Sequence, residues 1–144
     1  MTALEILKQH EIKKTPARMS MIYTLQSSKY PMSEYEIKEQ MADLYDRVTF
    51  YRNVQTLSTA GIIHKIVADN TTVRYALNCC EHGHNHTAEH AHFFCETCKN
   101  VVCLNQLKIP AYDLPSGYKF ADCDVIIKGT CEKCNQEEMV NGKW

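Results

Sequence analysis

Apolar residues recur at helical spacing over the first part of the chain and in short extended runs after it. Leu4, Ile6 and Leu7 gather on one side of a predicted helix over 2–12. Thr15-Pro16 offers an N-cap followed by proline in the first helical position, which predicts a second helix from Pro16 to about Ser27. That helix is expected to turn Met19, Ile22, Tyr23 and Leu25 inward. Ser33-Glu34-Tyr35-Glu36 is a capping box opening a third helix, with Ile37, Met41 and Leu44 as its apolar stripe. Asp46 caps a fourth, which runs to about Ala60, with Gly61 as a C′ residue. Phe50, Val54 and Leu57 mark its inner face, while Thr49, Arg52, Asn53 and Thr56 mark the opposite one.

The period then changes. Residues 62–67 and 72–77 are rich in β-branched side chains, and Ala68-Asp69-Asn70-Thr71 is a turn between them. Three or four short helices followed by a hairpin is the order of a winged helix-turn-helix. Residues 92–95, 101–104 and 119–127 suit further strands, and Pro110, Pro115 and Gly117 interrupt any helix between them. The expected class is therefore α+β. A winged-helix domain occupies 1–78, a His-rich hinge 79–91, and a small α/β domain 92–144.

Composition adds little until the cysteines are counted. The 144 residues are 44% hydrophobic and 23% charged, values for a folded protein rather than a disordered one. No run is long enough to span a bilayer, no basic and apolar leader opens the sequence, and a cytoplasmic location is expected. Residues 1–78 hold ten Lys/Arg against eight Asp/Glu, and 79–144 hold six against nine. The front half is thus the more suited to an anionic partner. Eight cysteines in a reducing compartment point to metal rather than to disulfides. Histidines at 82, 84, 86, 90 and 92 point the same way.

Cys95-Glu96-Thr97-Cys98 and Cys131-Glu132-Lys133-Cys134 form two Cys-x-x-Cys knuckles. Each places two sulfurs on one ion, and two complete a closed tetrahedron suited to structural Zn²⁺. Four thiolates also suit an iron–sulfur centre, whereas a thioredoxin-type redox site needs one pair on a βαβ unit. A second ligand cluster surrounds the first knuckle. His90 and His92 stand two apart on an extended segment, His64 lies on the first wing strand, Cys79 and Cys80 follow the second, and Cys103 comes eight residues after Cys95. Mixed imidazole and thiolate ligands favour Zn²⁺ over Fe²⁺ or Mn²⁺.

Together these segments resemble the ferric uptake regulator (Fur) family. Thr15-Pro16-Ala17-Arg18 is similar to its early Thr-x-x-Arg signature, and Arg47-Val48-Thr49-Phe50-Tyr51-Arg52-Asn53-Val54 resembles its recognition-helix motif. Ala60-Gly61-Ile62-Ile63 is similar to its wing opening, and His90-Ala91-His92-Phe93-Phe94-Cys95-Glu96-Thr97-Cys98 to its His-x-His-x-x-Cys-x-x-Cys signature. The resemblance implies a homodimeric repressor of metal-uptake or stress genes, binding double-stranded operator DNA with an inverted repeat. It also implies a structural zinc and a separate regulatory metal. Lys13, Arg18, Thr49, Tyr51 and Arg52 would meet DNA.

The family's iron and peroxide sensors draw a histidine from just before the third helix, where this chain has Tyr30 and Pro31, and a carboxylate where it has Cys103. His64, Cys79, His90 and His92, with Cys80 and Cys103 as alternates, fit the zinc uptake regulator pattern. A regulatory Zn²⁺ is therefore expected, with Fe²⁺ or Mn²⁺ as the alternatives. The rivals are an iron- or peroxide-responsive member of the same family and a non-sensing zinc-ribbon module. A deaminase needs His-x-Glu and Pro-Cys-x-x-Cys, and the chain has neither. No enzymatic activity, small organic substrate or membrane partner is expected.

Overall fold

The computed structural model describes residues 1–78, 90–108, 112–121 and 123–140. The expectations for Cys79, Cys80 and the histidines at 82, 84 and 86 lie outside the described residues. The chain divides into two compact units, Met1–His84 and Asn85–Trp144.

The first unit is a winged helix built from capped helices. It comprises α1 (Ala3–Gln9), α2 (Pro16–Ser27), α3 (Glu34–Met41), a 3-10 turn (Ala42–Leu44) and α4 (Arg47–Thr59), then strands β1 (Ile63–Val67) and β2 (Val73–Leu77). The side chains of Thr2, Thr15, Ser33 and Asp46 each accept a backbone N–H at N3, satisfying donors the helix cannot. Gly61, at φ +78°, follows α4 and turns the chain into the wing. β1 and β2 pair antiparallel, Ile63 opposite Leu77 and Val67 opposite Val73. Met32 adds a bridge on the other side of Tyr75, exchanging both backbone hydrogen bonds with it (2.9 and 2.7 Å). The loop before α3 is thereby tied to the wing.

The core of this unit joins Ile6, Leu7, Met21, Ile22, Ile37, Phe50, Leu57, Ile63 and Tyr75. Two inward assignments and one outward one differ from expectation. Tyr23 is 70% exposed and Met21 and Thr24 are buried instead, because α2 is packed by α1, α3, α4 and β2 and so buries more than one stripe. Leu44 is exposed because α3 ends at Met41, where Ala42 takes φ +50° and the stripe loses its helical period. Asn53, expected on the polar face, is buried and accepts a hydrogen bond from Arg18 Nε (3.1 Å).

The second unit holds β3 (His90–Cys95), β4 (Val101–Lys108), β5 (Val125–Gly129) and α5 (Glu132–Val140). The sheet order is β4-β3-β5, with β3 antiparallel to β4 and parallel to β5. The strand expected over 119–127 begins only at Val125, and α5 was not foreseen. Among the described residues, no helix is long and apolar enough to cross a membrane.

Candidate nucleic-acid interface and metal centre

In the first unit the candidate surface is the outer side of α4. Phe50, Asn53, Val54 and Leu57 are its buried residues. Arg47, Val48, Tyr51, Arg52 and Gln55 are exposed, at the i, i+1, i+4, i+5 and i+8 positions of one helical face. Of the expected contact residues, Tyr51 and Arg52 lie on this face and Thr49 is half-buried at its margin. Arg47, Val48 and Gln55 share that exposed face and were not among the expected contacts. Four-residue steps from Tyr51 and Arg52 were the available signal.

Lys13 is exposed beside α2, and its carbonyl accepts a hydrogen bond from an Arg18 terminal nitrogen (2.8 Å). With Nε given to Asn53, Arg18 is committed to joining α2, the loop before it and α4. It thus braces α4 at Asn53, one of that helix's buried residues.

Glu34, the first residue of α3, accepts hydrogen bonds from the hydroxyls of both Tyr45 and Tyr51. Burial alone would raise its pKa, but the two phenols, with Arg47 and Lys38 nearby, bring it below the usual carboxylate value. In return the bond to Glu34, with burial, pushes Tyr45 up to about 12 and also raises Tyr51.

In the second unit the four knuckle cysteines converge. The sulfurs of Cys95, Cys98, Cys131 and Cys134 all lie within 4.8 Å of one another, and those of Cys98 and Cys131 are 3.9 Å apart. A tetrahedral Zn²⁺ with Zn–S bonds of about 2.3 Å requires sulfurs about 3.8 Å apart, whereas a disulfide requires about 2.05 Å. The four thiols are free and match the first geometry.

Local backbone explains the convergence. Cys95 ends β3, Lys99 adopts φ +65° to turn the first knuckle, and its N–H returns to the Cys95 carbonyl (2.9 Å). The second knuckle opens α5, and parallel pairing sets Cys95 beside Gly129 just ahead of it. The Cys95 sulfur accepts N–H bonds from Cys98 (3.5 Å) and Cys131 (3.4 Å). Burial would raise its pKa, yet these donors and that of Thr97 bring it down to about 6. Cys134 is pushed up to about 12, first by its bond with Cys131, because neighbouring thiols cannot all ionise without a cation. The donor set therefore fits a structural zinc.

Beside this centre, His92 is buried and stands directly opposite Cys103 in the β3–β4 ladder. A ring nitrogen of His92 and the Cys103 sulfur lie within 4.8 Å, so the two form a ready half of a soft metal site. The register of that ladder breaks between His90 and Ala91, where the partner jumps from Lys108 to Leu104. The extra residues of that step lie on the β4 side. His64 lies at the second position of β1 in the other unit, half-buried.

A winged helix with a polar, partly basic recognition face, followed by a small sheet carrying a four-cysteine cluster, defines a metal-responsive transcriptional regulator. Residues 9–127 match the model of the ferric uptake regulator family, and the chain belongs to that family. The chain is 22% identical over 140 residues to the peroxide-responsive repressor PerR of Staphylococcus epidermidis, covering 91% of this chain and 87% of that protein. Its fold is similar to a zinc uptake regulator complexed with zinc and DNA (TM-score 0.69, 20% identity, 95% of this chain and 93% of that one). It is also similar to the Helicobacter pylori ferric uptake regulator, described as having three functional metal-binding sites (TM-score 0.60, 18% identity, 92% and 91%).

Proposed function

We propose that the protein is a homodimeric repressor whose grip on an inverted-repeat operator is tightened by Zn²⁺. The observation that carries the DNA-reading part is the exposed face of α4, with Arg47, Tyr51, Arg52 and Gln55 on a helix held by a capped, fully packed winged helix. Arg52 supplies a phosphate or guanine-edge contact, Tyr51 an apolar contact with a thymine methyl, and Lys13 a backbone contact. Two copies related by a two-fold axis would meet two half-sites of opposite direction.

Cys95, Cys98, Cys131 and Cys134 hold the structural zinc, a closed site with no coordination position left for chemistry. The regulatory ion draws its ligands from His64, Cys79, His90 and His92, with Cys80 and Cys103 as alternates. The placing of Cys103 opposite a buried His92 supports Cys103 as a ligand. A thiolate in place of a carboxylate favours Zn²⁺ over Fe²⁺ or Mn²⁺. A bound cation at such a site fixes its ligands in one arrangement. It changes DNA affinity only so far as it prefers the DNA-competent state.

The test is DNA binding while Zn²⁺, Fe²⁺ or Mn²⁺ is titrated into protein that retains one structural zinc. Tightening by Zn²⁺ at the lowest free concentration is expected. His92→Ala and His90→Ala should keep the dimer and the structural zinc but lose the metal response. Tightening by Fe²⁺ or Mn²⁺ alone would move the protein to an iron- or peroxide-responsive role, and an undiminished response in both variants would sink the ligand assignment.

A further inference from the structure

The Glu34 carboxylate bridges two phenols that belong to different surroundings. Tyr45 is fixed by packing: its ring lies 5.7 Å from Phe50, and the Lys38 ammonium sits 5.5 Å above it. Tyr51 is 43% exposed on the recognition face and meets Phe50 only edge-on, at 5.3 Å. Phe50 in turn stands edge-on to the buried Tyr75 of β2, at 5.5 Å. A surface tyrosine without a polar anchor exchanges among staggered rotamers. Here its hydroxyl is tied to the Glu34 carboxylate, which also holds the hydroxyl of the packed Tyr45.

We infer that Glu34 is a positioning residue for operator recognition, holding the Tyr51 ring in a single orientation by the bond to its hydroxyl. The inference rests on the reading of α4 as the DNA-reading helix. With the hydroxyl proton committed to Glu34, Tyr51 offers DNA its ring rather than a hydrogen-bond donor. Glu34 also places a negative charge beside a face that would meet phosphates, with Lys38 and Arg47 as its charged neighbours. Removing it has two opposite effects. Attraction to any DNA rises because a repulsion is lost, while discrimination falls because Tyr51 is released.

The test uses the full-length, metal-loaded protein and two duplexes. One carries an inverted repeat enriched by the parent protein from a random library, and the other is its scrambled counterpart. Glu34→Ala should bind the scrambled duplex more tightly and lower the ratio of the two affinities roughly ten-fold, the worth of one good base contact. Tyr51→Phe should lower the ratio similarly, and combining the two should cost no more than either alone. Tyr45→Phe, which leaves the Tyr51 bond intact, serves as the control and should retain most of the discrimination. An unchanged ratio in Glu34→Ala, or fully additive losses in the double variant, overturns the inference. A DNA-free measurement judges the clamp separately. In alkaline absorbance titration, Glu34→Gln should bring two tyrosines back toward the ordinary value, and an unchanged profile also overturns it. If the parent enriches no duplex, the DNA-reading proposal fails instead, and the titration still decides whether Glu34 holds Tyr51.

Discussion

Cys95 differs from the other three cysteines of its cluster in having two backbone donors already aimed at its sulfur. Such outer bonds orient a ligand before the ion arrives. Serine at any of the four positions should lower the zinc content and remove metal-binding free energy on the order of 10 kcal/mol from the second unit. Metal analysis and thermal melting check this. The Glu34 cluster gives a pH signature of the opposite kind at each end of the scale. A carboxylate held below its usual value contributes stability above that value and loses it as the pH falls. Tyr45, raised to about 12, contributes fully below about 10 and loses its contribution as the pH climbs through 12. Tyr45→Phe should lower stability in the neutral region, where the contribution is present in full, and flatten the alkaline limb of the stability curve.

The helices were the most legible elements, because their ends are written in single side chains. Thr15, Ser33 and Asp46 each accept the N–H expected of an N-cap, and Gly61 takes the positive φ that a C′ residue needs. No atom lies within 4 Å of the place a Cβ would occupy at Gly61, so Gly61→Ala meets only the backbone penalty. Loss of about 1 kcal/mol is expected from denaturant melting. Leu57, fully buried at the centre of α4's inner face, should cost about 2–5 kcal/mol as alanine. Where packing on several sides replaced a simple stripe, periodicity misled, as at Tyr23 and Asn53. The start of β5 was misplaced because 119–127 has the composition of a strand but gains a partner only from Val125, opposite Ala91. α5 escaped notice because its first turn was read solely as a knuckle.

For the whole molecule, the two Cys-x-x-Cys pairs were legible as one site, since the spacing within each pair is a property of the ligand geometry. The parallel pairing of β3 with β5 that brings them together was not, because nothing local encodes which strand a distant strand will join. Salt supplies a measurement at this scale. If α4 contacts phosphate through Arg47 and Arg52, log affinity should fall steeply and linearly with log salt concentration. Arg52→Ala should reduce that slope by roughly one if its partner is a phosphate, and relax base preference at one position if its partner is guanine. Binding isotherms across a salt series distinguish the two.

The parallel β3–β5 pairing also sets an order of events during synthesis. The first unit has all its core residues once its wing is made and can close then. The second cannot: the thiolates at the end of β3 must wait for those at the start of α5, and the strand that aligns them arrives only just before. If the four-cysteine site takes zinc, its supply at the moment of translation governs the yield of only the later half. Chain made in chelator-treated cells should show a protease-resistant front half and a rapidly cleaved remainder. A cell short of that ion would then lose the regulator's second unit, whatever the regulatory site holds.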